Sequence, residues 1–170
     1  MDLRSQILKE HSKANAQKIA DWSSNESKRF ESLIRLFLKD EYRVIQRSAW
    51  IIGLVANKHS ELLLPYLAAM IEKMNEPQLP TAAKRNVVRV LQEIEIPESL
   101  HGILMESCFA FLADPKETIA VRVFSMTVLS KLSKLYPEIK QELKLVIEEG
   151  LTERPTAGYR ARAKEVLKQL

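Results

Sequence analysis

Glycine is scarce, with four residues in a chain of 170. β-Sandwiches, barrels and phosphate-binding α/β folds use glycine in tight turns and phosphate loops, so the shortage argues for helices joined by short connections. The sequence also lacks G-x-x-x-x-G-K-[ST], G-x-G-x-x-G and G-x-S-x-G, which sets aside the common glycine-dependent nucleotide and hydrolase sites. Cys108 is the single cysteine, so neither an intrachain disulfide nor a cysteine-based zinc site can form, and a reduced cytoplasmic setting is expected. His11, His59 and His101 stand far apart, with none at the helical spacing that seats a metal, so no metal site and no cofactor are expected. The longest apolar run, Leu62 to Ile71, contains Pro65 and falls short of the ~20 residues that span a bilayer. The N-terminal stretch is charged throughout and has no apolar h-region, so neither a secretory signal nor membrane association is expected.

What is present is balanced. Hydrophobic residues make up 46% and charged residues 28%, which suits a globular chain able to bury a core. The formal net charge of +4 is unevenly spread: residues 1–60 hold 11 Lys/Arg against 7 Asp/Glu, residues 61–110 hold 4 against 7, and residues 111–170 hold 11 against 8. No concentrated basic run announces a nucleic-acid ligand.

Apolar residues recur at three- and four-residue spacing, as in Phe30, Leu33, Ile34, Phe37, Leu38 and in Val87, Leu91, Ile94. That pattern predicts about nine helices, near 3–20, 26–39, 42–57, 60–74, 80–95, 98–113, 117–134, 137–150 and 156–169, and no sheet. The helices repeat. One class opens at Asn25-Glu26, Ser60-Glu61, Pro97-Glu98 and Pro137-Glu138, placing a cap former or proline beside a glutamate at the positive end of the helix dipole. The other class carries Arg47, Arg85, Arg122 and Arg160 at intervals of 38, 37 and 38 residues, and Thr81, Thr118 and Thr156 stand four residues ahead of the last three. A shared offset of this kind marks paired-helix repeats.

The stretch FLADPKETIAVRVFSMTVLSKL, from Phe111 to Leu132, resembles a HEAT repeat: the apolar end of an A helix, an Asp-Pro turn, then a B helix with Val-Arg near its start. DEYRVIQRSAWIIGLVA, from Asp40 to Ala56, resembles it without the proline. The pair at 60–95 departs from the pattern with Glu76-Pro77-Gln78-Leu79-Pro80, and the last pair with Glu153 and Arg154 in its turn. The resemblance to the HEAT/armadillo-like family implies an all-α, right-handed α-α superhelix in a single domain, 1–170. An N-terminal capping helix (1–22) would precede repeats at approximately 23–58, 59–96, 97–135 and 136–170. It implies that B helices line a concave binding side, and that Arg47, Arg85, Arg122 and Arg160 are structural repeat arginines pairing with turn aspartates. The cations outside that register, Arg43, Lys84, Arg89, Arg162 and Lys164, are then the binding candidates on the concave face.

Other residues offer less. Trp50 lies in the apolar stretch AWIIGLVA and reads as core, and Trp22 as a cover for the open end of the stack. Gly150 reads as a helix C-cap, His101 as a surface or capping residue, and Cys108 as a buried, inert thiol. The pairs Glu148-Glu149 and Glu93/Glu95 read as solvated charge. No catalytic residue is identified. The expectation is a non-catalytic cytoplasmic scaffold that binds a protein or peptide partner, with nucleic acid possible but not favoured. The alternative is a DNA-binding relative of the HEAT-like alkyl-base DNA glycosylases. That enzyme class needs an acid one helical turn from a tryptophan, and Gln46, Gly53 and Leu54 occupy those positions around Trp50.

Overall fold

A computed structural model describes residues 2–170. Among the described residues all regular structure is helical, in ten α-helices with no strand. The chain divides into two compact units, Met1–Val90 and Leu91–Leu170.

The first unit holds α1 (Leu3–Lys9), α2 (Lys13–Ser24), α3 (Ser27–Lys39), α4 (Tyr42–Ala56), α5 (Leu67–Met74) and α6 (Thr81–Leu91) up to Val90. In α3 the stripe Phe30, Leu33, Ile34 and Phe37 is buried, as its spacing requires, against α2, α4 and α5. Burial of each such side chain contributes about 1.5–3 kcal/mol. α4 is apolar over a wider arc and packs against α1, α2 and α3.

The single first helix expected at 3–20 is two helices. α1 stops at Lys9, and Ser12 opens α2 by accepting a hydrogen bond from the Asn15 amide at 3.1 Å. The carbonyls released at the end of α1 are taken up by side chains. Asn15 Nδ2 donates to Gln6 O and Glu10 O, and Arg47 Nη1 donates to Ile7 O and Leu8 O. The break therefore costs no unsatisfied carbonyl at those four positions.

The second unit holds α7 (His101–Ala113), α8 (Ile119–Leu132), α9 (Lys140–Thr152) and α10 (Ala157–Leu167). α8 is its centre, packing against α7, α9 and α10. The openings read from Ser60, Pro97 and Pro137 begin as 3-10 turns, at Ser60–Tyr66, Glu98–Leu100 and Pro137–Ile139, before α5, α7 and α9. Pro65 is accommodated in the longest of these. In the turn between α9 and α10, Arg154 takes the left-handed φ of 56°.

Gly150 does not end a helix. It sits inside α9 with no left-handed backbone, where a Cβ would come 2.1 Å from Tyr159 Oη and 3.0 Å from Arg122 Nη2. Its missing side chain is the space into which the buried ring of Tyr159 fits.

Candidate binding surface

Side-chain contacts within each unit join residues about one repeat length apart. Arg4 meets Asp40, Arg47 meets Ile7, His101 meets Tyr136, and Arg162 meets Thr127, at separations of 36, 40, 35 and 35 residues. In a helix-pair repeat, residues separated by one period occupy matched levels of neighbouring pairs, so these bonds tie one pair to the next.

The repeat arginines occupy four different environments. Arg122 is buried: its Nε donates to Leu112 O at 3.0 Å, its Nη2 lies 3.4 Å from Glu153 Oε2, and its guanidinium stands 4.9 Å from the Tyr159 ring centre. Arg47 is half-buried on the carbonyls of α1. Arg160 is exposed and donates to Pro155 O at 2.7 Å. Arg85 is exposed and has no partner among the described residues. The turn aspartates are engaged elsewhere: Asp40 with Arg4, which holds its carboxyl below the usual carboxylate range, and Asp114 with the Lys116 amide.

The remaining arginines complete a pattern. Arg4, Arg29, Arg35 and Arg162 each have a carboxylate partner. Among the described residues the arginines with neither a carboxylate nor a carbonyl are Arg43, Arg85, Arg89 and Arg154, and all but Arg154 lie on α4 and α6 in the first unit. Arg85 and Arg89 are one helical turn apart, the spacing at which like charges repel by a few tenths of a kcal/mol. Arg89 is half-buried, and its Nη2 would be 2.7 Å from a Cβ at Gly53 of α4. The glycine thus gives the guanidinium its seat between the two helices.

Of the other binding candidates, Lys84 is half-buried and already engaged. In the second unit, Arg162 of α10 donates to Thr127 of α8 and pairs with Glu165 at 3.4 Å, whereas Lys164 is exposed and has no partner among the described residues. Sequence reasoning had placed Arg85 with the structural arginines. It stands four residues before Arg89 on α6.

Trp50 is half-buried, with the His11 ring edge-on at 5.4 Å, and Arg29 lies over the Trp22 ring at 4.7 Å. Glu10 lines the crevice beside Trp50, but the crevice measures about 10 Å3, room for no more than a water. Cys108 is fully buried, and burial pushes its thiol up to about 12, so it carries no thiolate near neutrality. His101 is buried rather than superficial: Nδ1 meets Tyr136 Oη at 2.9 Å and Nε2 meets Ile96 O at 2.8 Å. Among the described residues, no group of three or more His, Cys, Asp or Glu could hold a metal, and no helix is long and apolar enough to cross a membrane.

Antiparallel helix pairs, packed on their neighbours through contacts one period apart, define an all-α helical repeat protein. A family model described as a HEAT repeat domain matches residues 3–170, and the chain belongs to the HEAT repeat family. Comparison with the curated proteins and with the solved structures gives no match.

Proposed function

We propose that this HEAT repeat scaffold is non-catalytic and binds an acidic segment of a protein partner through the B-helix face of α4 and α6. The observation that carries the reading is the placement of Arg43, Arg85 and Arg89. Among the described residues they are the unpaired arginines of the first unit, they share two neighbouring B helices, and the half-buried Arg89 guanidinium lies over Gly53. The planar fork of an arginine donates to both oxygens of a carboxylate. An incoming acidic side chain also relieves the repulsion between Arg85 and Arg89. This is the side that the family resemblance makes concave.

Fluorescence anisotropy with a labelled 15-residue peptide of alternating Glu and Leu provides the test. The peptide is expected to bind at low salt, and Arg85→Ala with Arg89→Ala is expected to weaken it about tenfold or more. Equal affinity for the double variant overturns the assignment of this face. A gel-shift titration with a short DNA duplex over a salt series runs alongside. If the duplex binds and loses affinity in the same variant while the peptide fails to bind, the face belongs to nucleic acid.

A further inference from the structure

The second unit contains a cavity of about 350 Å3 that has no part in the arginine face. Its walls come from Leu91 and the segment that follows it, the start of α7, and the end of α8 with the residues just after it. Leu91, Ile94, Ile96, Leu104, Val128 and Leu132 make them mostly apolar. The volume lies at the lower end of the range for ligand pockets.

Of the polar groups in the lining, the histidine is fully occupied and the lysine is engaged through one hydrogen bond. Both ring nitrogens of His101 are hydrogen-bonded, to Tyr136 Oη and to Ile96 O, and the Lys131 ammonium donates to the Gln92 carbonyl. The imidazole therefore has no nitrogen left to orient a polar metabolite, and the interior offers an incoming group chiefly apolar contact. The rim differs. Glu93 and Glu95 are exposed lining residues with no cationic partner among the described residues. Leu135, also in the lining, is 64% exposed and carries the apolar surface outward. An apolar hole edged by unpaired carboxylates is complementary to an apolar side chain with a cation beside it. The exposed Leu135 gives the residues flanking such an anchor a surface to cover, which a free small molecule filling the hole would leave in water.

We infer that this cavity is a docking site for a protein segment in which a leucine or similar apolar residue is flanked by lysine or arginine. The apolar side chain fills the space between α7 and α8, and the flanking cations pair with Glu93 and Glu95. The site is chemically the reverse of the α4–α6 face, so the failure of either leaves the other standing.

The probe is a labelled 10-residue peptide of serine and glycine carrying one central Lys-Leu-Lys, followed by anisotropy and by methyl NMR of the intact chain. Binding is expected to shift the methyl signals of Ile94, Ile96 and Leu135. Replacing the peptide's leucine by alanine, or Glu93→Lys with Glu95→Lys in the protein, is expected to weaken binding about tenfold or more. The protein substitutions sit on exposed residues, and an unchanged circular dichroism spectrum separates loss of the site from loss of fold. Methyl shifts elsewhere, or equal affinity for the charge-reversed protein, overturn the inference. So does an outcome in which octylamine shifts these methyls and the peptide does not, which makes the cavity a small-molecule site.

Discussion

Gly150→Ala tests how tightly the second unit is packed. In an ordinary helix interior this change stabilises by about 1 kcal/mol, because alanine has the higher helix propensity. Here the new Cβ would lie 2.1 Å from Tyr159 Oη, 2.7 Å from Tyr159 Cζ and 3.0 Å from Arg122 Nη2. Tyr159 is 1% exposed and cannot swing into solvent without opening the contact between α9 and α10. Overpacking of this kind costs about 1–3 kcal/mol. Moving the ring also weakens its contact with the Arg122 guanidinium, worth about 1 kcal/mol more. Set against the propensity gain, the net expectation is a destabilisation of about 1–3 kcal/mol. Urea unfolding followed by far-ultraviolet circular dichroism is the assay, because Trp22 and Trp50 both lie in the other unit and their fluorescence would not report directly on this one. Gly102→Ala is the control, since nothing lies within 4 Å of its Cβ position, and it is expected to be neutral or stabilising by up to about 1 kcal/mol. Tyr159→Phe removes the atom nearest the new methyl, so in the Gly150→Ala background it should recover part of the loss. A Gly150→Ala protein as stable as the parent, with no coupling to Tyr159→Phe, refutes the argument that the ring is fixed by its surroundings.

Arg122→Ala removes the hydrogen bond to Leu112 O and the Glu153 and Tyr159 contacts at once, and is expected to cost about 2–4 kcal/mol; exposed Arg160→Ala should cost less than about 0.5 kcal/mol, both read by urea midpoint. Gly53→Ala displaces the Arg89 guanidinium without changing charge, so affinity for the Glu-Leu peptide should fall severalfold while net charge stays constant; unchanged affinity would show that the seat is irrelevant. Because the hydrogen bond from Arg4 lowers the Asp40 carboxyl in the folded chain, its stabilising contribution is present above the ordinary carboxylate value and lost as pH falls through the folded value. The stability difference between parent and Asp40→Asn should therefore close on acidification below about pH 4, followed by thermal midpoint; a difference that persists at low pH would count against the Arg4 pairing.

The helices were legible because period and punctuation agree. Phe30, Leu33, Ile34 and Phe37 point one way on α3, and prolines fall where helices open. The break at residues 10–12 was not legible, since no glycine or proline marks it and its stability comes from Asn15 and Arg47, the latter from another helix. Gly150 misled for a related reason: a glycine near a helix end usually supplies a left-handed cap, and only the tertiary position of Tyr159 shows that it supplies space. The cavity partners were within reach, because His101 and Tyr136 are one repeat apart. Aligning the repeats level by level, rather than helix by helix, would have brought them together. Arg85 could not be separated from Arg122 by spacing alone, since equivalent positions in a repeat share geometry but not neighbours.

Arg47 has one more consequence. Its Nη1 is held by the carbonyl oxygens of Ile7 and Leu8, which are dipoles and not ions, so the guanidinium is pinned on α1 while its full positive charge remains. Half-buried and pinned at one end, it still adds to the field of α4 within a Debye length of about 10 Å at 0.1 M salt. Such a residue acts on the encounter rather than on the bound state. Its removal should slow the association of an acidic segment, most visibly at low ionic strength, and leave the dissociation rate almost untouched.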